Sequence, residues 1–296
     1  MKRLALIFGT LIVVVAGLYG LSRLTAERTI PTTPPDNAPK AGSCWQVDEA
    51  TAKQALPWPG ISVDCSGEHT IEIFQIGQVG IDLIHRMDNA KGDDVKIVTN
   101  LLQAQVRRAC VIQASVYLSG GWHNARLMVL ASWIKPTGNG FYGCALAEVD
   151  GPGAQNFVHR KGSLKGALKD GDAAPLAIGC VSRGAGDSTD ALTYIPCAQP
   201  HDGEFVGSYT ITPLDAPYDD GAVKDTAQRG CSEVAARFLG IQGNGGRTDL
   251  NAGSVGPKTA SDWLGSDQTF SCYAMAADGK LVGSIHNLGM KPLPRS

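Results

Sequence analysis

The chain has 296 residues, 43% of them apolar and 18% charged, with a net charge of −2. That balance describes folded rather than disordered material, in one to three domains. The charge argues against a nucleic-acid binder, because phosphate neutralisation needs a basic stripe and Lys and Arg are scattered here.

In chain order, Met1-Lys2-Arg3 precedes an apolar run from Leu4 to Leu21. As a helix this run reaches roughly 27 Å, close to the thickness of a hydrocarbon core. Cations ahead of it predict a cytoplasmic N-terminus and an exported remainder. Residues 1–26 are therefore expected to form a single-pass signal-anchor in the cell membrane. A cleaved leader ending at Ala26 is the alternative, but Leu24 stands where a small residue is wanted. Residues 27–41 carry Pro31, Pro34, Pro35 and Pro39 among polar residues and predict an extended spacer.

From Gly42 the chain repeats itself. Gly42-Ser43-Cys44 returns as Ile178-Gly179-Cys180. Cys65-Ser-Gly-Glu-His69-Thr-Ile-Glu72 returns as Cys197-Ala-Gln-Pro-His201-Asp-Gly-Glu204, both C-x3-H-x2-E. The stretch ending in Cys110, followed by Tyr117-Leu118, matches the one ending in Cys231, followed by Phe238-Leu239. Cys144 and Cys272 open similar small-residue runs, and Gly162-Ser163-Leu164 matches Gly283-Ser284-Ile285. Two domains are thus expected, 42–171 and 172–296, joined by a Gly-, Asp- and Ala-rich hinge near 166–177.

Thr70–Ile76 and Glu204–Ile211 read as strands, as do Leu127–Trp133 and Phe270–Met275. Val98, Leu102, Val106 and Cys110 recur every fourth residue, as do Val223, Ala227 and Cys231, which places each third cysteine on a helix's buried stripe. Ile81–Asn89 is a further helical segment. The fold class is α+β, each unit one main helix on a small, mostly antiparallel sheet.

Cys44, Cys65, Cys110, Cys144, Cys180, Cys197, Cys231 and Cys272 divide four and four, as expected of internal disulfides in an exported chain. Zinc sites use tighter pairs than Cys180 and Cys197, so no metal is expected. Four cysteines allow three pairings. The favoured one joins Cys65 to Cys110 and Cys197 to Cys231, a loop against a helix stripe, leaving Cys44–Cys144 and Cys180–Cys272.

These landmarks, with Pro257-Lys-Thr-Ala-Ser-Asp-Trp263-Leu-Gly265, resemble the septum-formation domain found on exported parts of actinobacterial membrane proteins. The second copy is closer; the first departs ahead of His69 and in having Trp133 before Pro136. The resemblance implies a role in division and brings no catalytic residues.

Among candidate sites, His69 with Glu72 and His201 with Glu204 come first. Residues three apart on a strand face opposite ways, so neither pair should chelate jointly. A histidine in the preceding turn would order the local backbone instead; partner contact is the second reading and catalysis the last. Trp122, Trp133 and Trp263 are core anchors or binding platforms, with Trp263 expected to be partly exposed. There is no G-x-S-x-G elbow, and Gly240–Gly246 lacks the Lys-Ser/Thr of a phosphate loop. No cofactor is implied. The expected function is a non-enzymatic binding or scaffold protein of the cell envelope, with division proteins or peptidoglycan as partners and no nucleic acid. An exported lipid or cell-wall-ligand carrier or sensor is the alternative, and a cell-wall hydrolase ranks behind it.

Overall fold

The first half of the molecule begins with a three-residue edge strand, β1 (Ser43–Trp45). A short helix, α1 (Glu49–Ala52), follows; the Asp48 carboxylate caps it by accepting from Thr51 N at 2.7 Å. Next come β2 (Ile71–Gln78), α2 (Ile81–Asn89), the long α3 (Asp93–Leu118), β3 (Leu127–Trp133) and β4 (Phe141–Glu148). The four strands form an antiparallel sheet in the order β1-β2-β4-β3. This computed structural model describes residues 30–152, 156–171, 175–184, 192–214, 216–242 and 247–295. The apolar run expected to anchor the chain lies outside them, and no described helix is long and apolar enough to cross a membrane.

The second half holds β5 (Cys180–Arg183), β6 (Leu192–Ile195), β7 (Gly203–Thr210), α4 (Asp220–Phe238), β8 (Leu250–Val255), α5 (Ala260–Leu264) and β9 (Thr269–Ala276). Its sheet, also antiparallel, runs β6-β5-β7-β9-β8. Apart from the extra edge strand β6, this is the order of the first sheet. The irregularities match as well. The register of β2 slips between Ile73 and Gln75, opposite Ala145 and Cys144; that of β7 slips between Phe205 and Gly207, opposite Tyr273 and Cys272. Each bulge lies beside the last cysteine of its half. Gly207 takes φ +134° there, a backbone region that side chains disfavour.

Each main helix lays its four-residue stripe on its sheet. Val98, Leu102, Val106, Cys110, Ala114 and Leu118 are buried on α3, and Val223, Ala227, Cys231 and Val234 on α4. Cys110 is bonded to Cys144 and Cys231 to Cys272, pinning each helix to a central strand; all four are fully buried. Cys44–Cys65 and Cys180–Cys197 close the other two bridges. The expected pairing of Cys65 with Cys110 and Cys197 with Cys231 is therefore corrected. The helix stripe faces the central strands, so its cysteine meets the one on β4 or β9. The loop bearing Cys65 runs along the edge strand instead, where Val63 N donates to Cys44 O at 2.8 Å.

Two segments flanking the halves pack against them. The proline-rich spacer is docked from Pro35 onward, with Pro39 buried and Ala38 packed against the core of Trp45, Trp58 and Ile71. The described part of the join at 166–177 is hydrogen-bonded to its surroundings. Gly166 N and Leu168 N donate to Tyr117 O and Leu118 O at 2.9 Å, Arg126 N donates to Leu176 O at 2.8 Å, and Leu168 and Leu176 are buried. Residues Pro35–Ser296 form one compact unit.

Candidate functional site: the repeated His and Glu and the seam between sheets

The two C-x3-H-x2-E segments reach the same geometry. His69 precedes β2 and exchanges backbone hydrogen bonds with Arg160 (3.0 and 2.9 Å); His201 does so with Leu281 (2.9 and 2.8 Å). Each ring turns back on its own loop, His69 Nδ1 lying 3.0 Å from Gly67 O and His201 Nδ1 2.8 Å from Gln199 O. A carbonyl only accepts, so Nδ1 carries the proton in both. Both histidines are 0% exposed, and Nε2 in each is buried without a hydrogen-bond partner among the described residues.

The glutamates point elsewhere. Glu72 is 1% exposed. Its Oε1 accepts from Tyr117 Oη at 2.5 Å and Ser163 Oγ at 2.6 Å, and its Oε2 from Leu164 N at 2.6 Å. Glu204 accepts from Ser284 Oγ and Ile285 N, both at 2.8 Å. The repeated Gly-Ser-[Leu/Ile] segment is thus held by the carboxylate, and Leu164 and Ile285 behind it are fully buried. Within the segment each serine hydroxyl also accepts from the amide two residues on, Lys165 N at 3.1 Å and His286 N at 3.2 Å. The halves differ here: near the end of α3 stands Tyr117, where α4 carries Phe238, which lacks the third donor and lies edge-on to His286. Burial and the bond to Glu72 push the Tyr117 hydroxyl up to about 12.

The histidine and glutamate of each motif therefore organise two separate closures. The Glu72 carboxylate also comes within 4.8 Å of the Cys44 and Cys65 sulfurs. Those sulfurs are spent in a disulfide and offer no thiolate to a metal. Trp263, expected to be partly exposed, is corrected: it is 2% exposed, with Nε1 donating to Ala216 O at 2.8 Å. The Thr259 cap starts α5 so that the indole turns inward, against Tyr218.

A family model described as septum formation matches residues 41–272, one span that takes in both sheets and ends at Cys272. The chain belongs to the septum-formation family. No curated protein and no solved structure matches it.

In this septum-formation protein the two halves meet along a seam that sequence reading does not single out. His123 Nε2 lies 2.9 and 2.8 Å from the two oxygens of Asp267, and His123 O accepts from Ser271 Oγ at 3.2 Å. Arg107 pairs with Asp262 at 3.0 Å, and Arg108 donates to Leu214 O at 3.2 Å. Burial raises the Asp267 carboxyl, but the bond to His123, its charge and the donors of Thr269 outweigh that and leave it below the ordinary 3.8. A depressed carboxyl stabilises the fold above its unfolded value and loses that contribution as pH falls through the folded one. Asp267→Asn is accordingly expected to lower the melting temperature near pH 7 and to narrow its gap from the parent chain below about pH 4. A gap that stays constant from neutral to acid pH in a calorimetric series would remove the clasp.

Among the hollows of the described surface, two bear on these residues. The larger, about 460 Å³, is lined by Asp48, Thr70, Phe157 and His159 among others; Asp48 there is already the cap of α1 and His159 pairs with Glu68 at 2.9 Å. The smaller, about 210 Å³, opens on the seam and is lined by Lys53, Gln54, Gln103, Arg107, Trp133 and Ser261, drawing on both halves.

Proposed function

We propose that this septum-formation protein is a membrane-tethered, extracytoplasmic binding or scaffold protein of the cell envelope, acting without turnover. In this proposal residues 42–171 and 172–296 are two copies of one domain, an idea supported by the matching strand order and the bulges beside Cys144 and Cys272. The observation that carries the functional reading is the fate of the repeated His and Glu. The residues best suited to acid–base or metal work are buried in both halves. Their carboxylates are spent on a turn and their Nδ1 atoms on the backbone. Export is supported by the basic start and apolar run of Met1–Leu21 and by four disulfides, which persist in oxidising compartments. Duplication of a tethered domain raises avidity through effective concentration. Partners are division proteins or peptidoglycan, and membrane attachment is through the N-terminal run.

The test uses the full chain in a bacterial host. It is expected to fractionate with membranes, to resist carbonate extraction, and to retain envelope division proteins or peptidoglycan in a pulldown. His201→Ala is expected to lower the melting temperature while the folded fraction still binds. A mature form in the medium beginning near Glu27 would refute the anchor. Hydrolysis of cell-wall fragments that is lost on His201→Ala or Glu204→Ala with the fold intact would replace the scaffold by an enzyme.

A further inference from the structure

We infer that α3 pairs with α3 of a second copy of this chain, antiparallel across a two-fold axis. The first ground is an apolar stripe on the exposed face of the helix. Ile97 and Ile112 are each 53% exposed, Leu101 39% and Val116 69%. Single exposed apolar residues are ordinary, but four on one line over roughly 28 Å of helix form a patch. The second half supplies the comparison. Counted from the helix cysteines, Leu101, Ile112 and Val116 on α3 correspond to Ala222, Glu233 and Arg237 on α4. A helix laid on its sheet in the same way carries charge at two of those three positions, so packing within the half does not ask for the stripe.

The second ground is the spacing, which says what covers the stripe. Ile97, Leu101, Gln105, Arg108, Ile112 and Val116 follow at intervals of 4, 4, 3, 4 and 4 residues, an order that reads the same from either end. Steps of three and four in this ratio repeat every 3.67 residues or so, which keeps the line on one side of an α-helix. Asp94 and Ser119, three residues beyond either end, are polar and exposed and bound the apolar stretch. An axis between Val106 and Arg107 therefore sets Leu101 against Ile112 of the second copy, and Ile97 against Val116. An isologous contact needs that self-complementarity. Parallel helices would instead set Arg108 against its own copy and align the two dipoles, both unfavourable. Arg108 is already bound to Leu214 O at 3.2 Å, and the antiparallel pairing uses only its methylene stem.

The third ground is size. A stripe of this length and one helix wide covers roughly 300 Å² on each copy, less than a stable soluble dimer buries. Two copies held to one membrane meet at a raised local concentration, so weak pairing suffices there. The inference rests on the proposed tether for that last step alone.

The experiment places a photoreactive side chain at Val116 of the full chain, irradiates it with lipid vesicles at about 100 µM protein, and maps the adducts by peptide mass spectrometry. Flotation of the vesicles reports the tether separately, and any chain left in the supernatant is irradiated as well. The expected adduct joins position 116 to the segment around Ile97 of a second copy; within one helix those positions lie roughly 28 Å apart, beyond a direct link. Leu101→Lys and Ile112→Glu are each expected to cut that adduct by about tenfold at unchanged melting temperature, since both positions are exposed. Mixing the two variants is expected to restore it, because the new ammonium and carboxylate then face each other across the axis. The inference is overturned if position 116 links to lipid, to residues 1–21, or to position 116 of the second copy. It is equally overturned if no adduct between copies forms, if either variant folds normally and cross-links as before, or if the mixture of folded variants recovers nothing.

Discussion

Glu72→Ala is expected to lower the unfolding free energy by about 3–5 kcal/mol, the scale of breaking a buried charged interaction at one end. Three donors converge on that carboxylate, from Tyr117, Ser163 and Leu164 N. The alanine variant leaves all three facing a cavity in a site closed to water. Glu204→Ala removes the partner of two such donors at a slightly more exposed position, and about 2–3 kcal/mol is expected. Glutamine should be tolerated better in both halves. Its carbonyl can accept from Leu164 N or Ile285 N while its amide donates to the hydroxyls, which can turn to receive it. About 1–2 kcal/mol is expected for the loss of charge assistance. Urea denaturation of the four variants checks the ordering. A Glu72→Ala protein as stable as the parent, or a larger loss at Glu204 than at Glu72, would show that the carboxylates do not hold the Gly-Ser turns.

The largest covalent effect is expected at Cys231–Cys272. Replacing both cysteines by alanine frees a loop with a sequence separation of 41, worth roughly 4 kcal/mol in the chain-entropy account; the separation of 17 at Cys180–Cys197 is worth roughly 3 kcal/mol. The same order should hold in the first half, where the separations are 34 for Cys110–Cys144 and 21 for Cys44–Cys65. Access reverses the kinetics of reduction. Cys65 and Cys197 are partly exposed, whereas both members of each helix–strand bridge are fully buried. Mild reductant followed by alkylation should therefore label Cys44, Cys65, Cys180 and Cys197 before the others. Non-reducing peptide mapping that recovered Cys65 joined to Cys110, or any bridge between halves, would refute the pairing.

The sequence by itself determined the main helices, several of the strands and the order of the recurring landmarks. Ile81–Asn89 and Leu127–Trp133 stand where periodicity places them, and the four-residue stripes ending at Cys110 and Cys231 lie buried on their sheets. Those signals are local: each reports which face of one segment must leave water, and a helix or strand obeys it whatever its neighbours are. The landmarks repeated in one order likewise indicated the family. Tertiary structure alone decided which groups meet. The helix cysteine finds the central strand rather than the loop ahead of β2 or β7, because the apolar stripe must face the sheet. Trp263 turns inward although Ser261 and Asp262 precede it, because its indole fills the core beside Tyr218 and finds Ala216 O. Glu72 and Ser163, 91 positions apart, and His123 and Asp267, 144 apart, become partners only when the chain has closed on itself. No spacing records such a meeting, since the energy that selects it comes from excluding water around the whole assembled core.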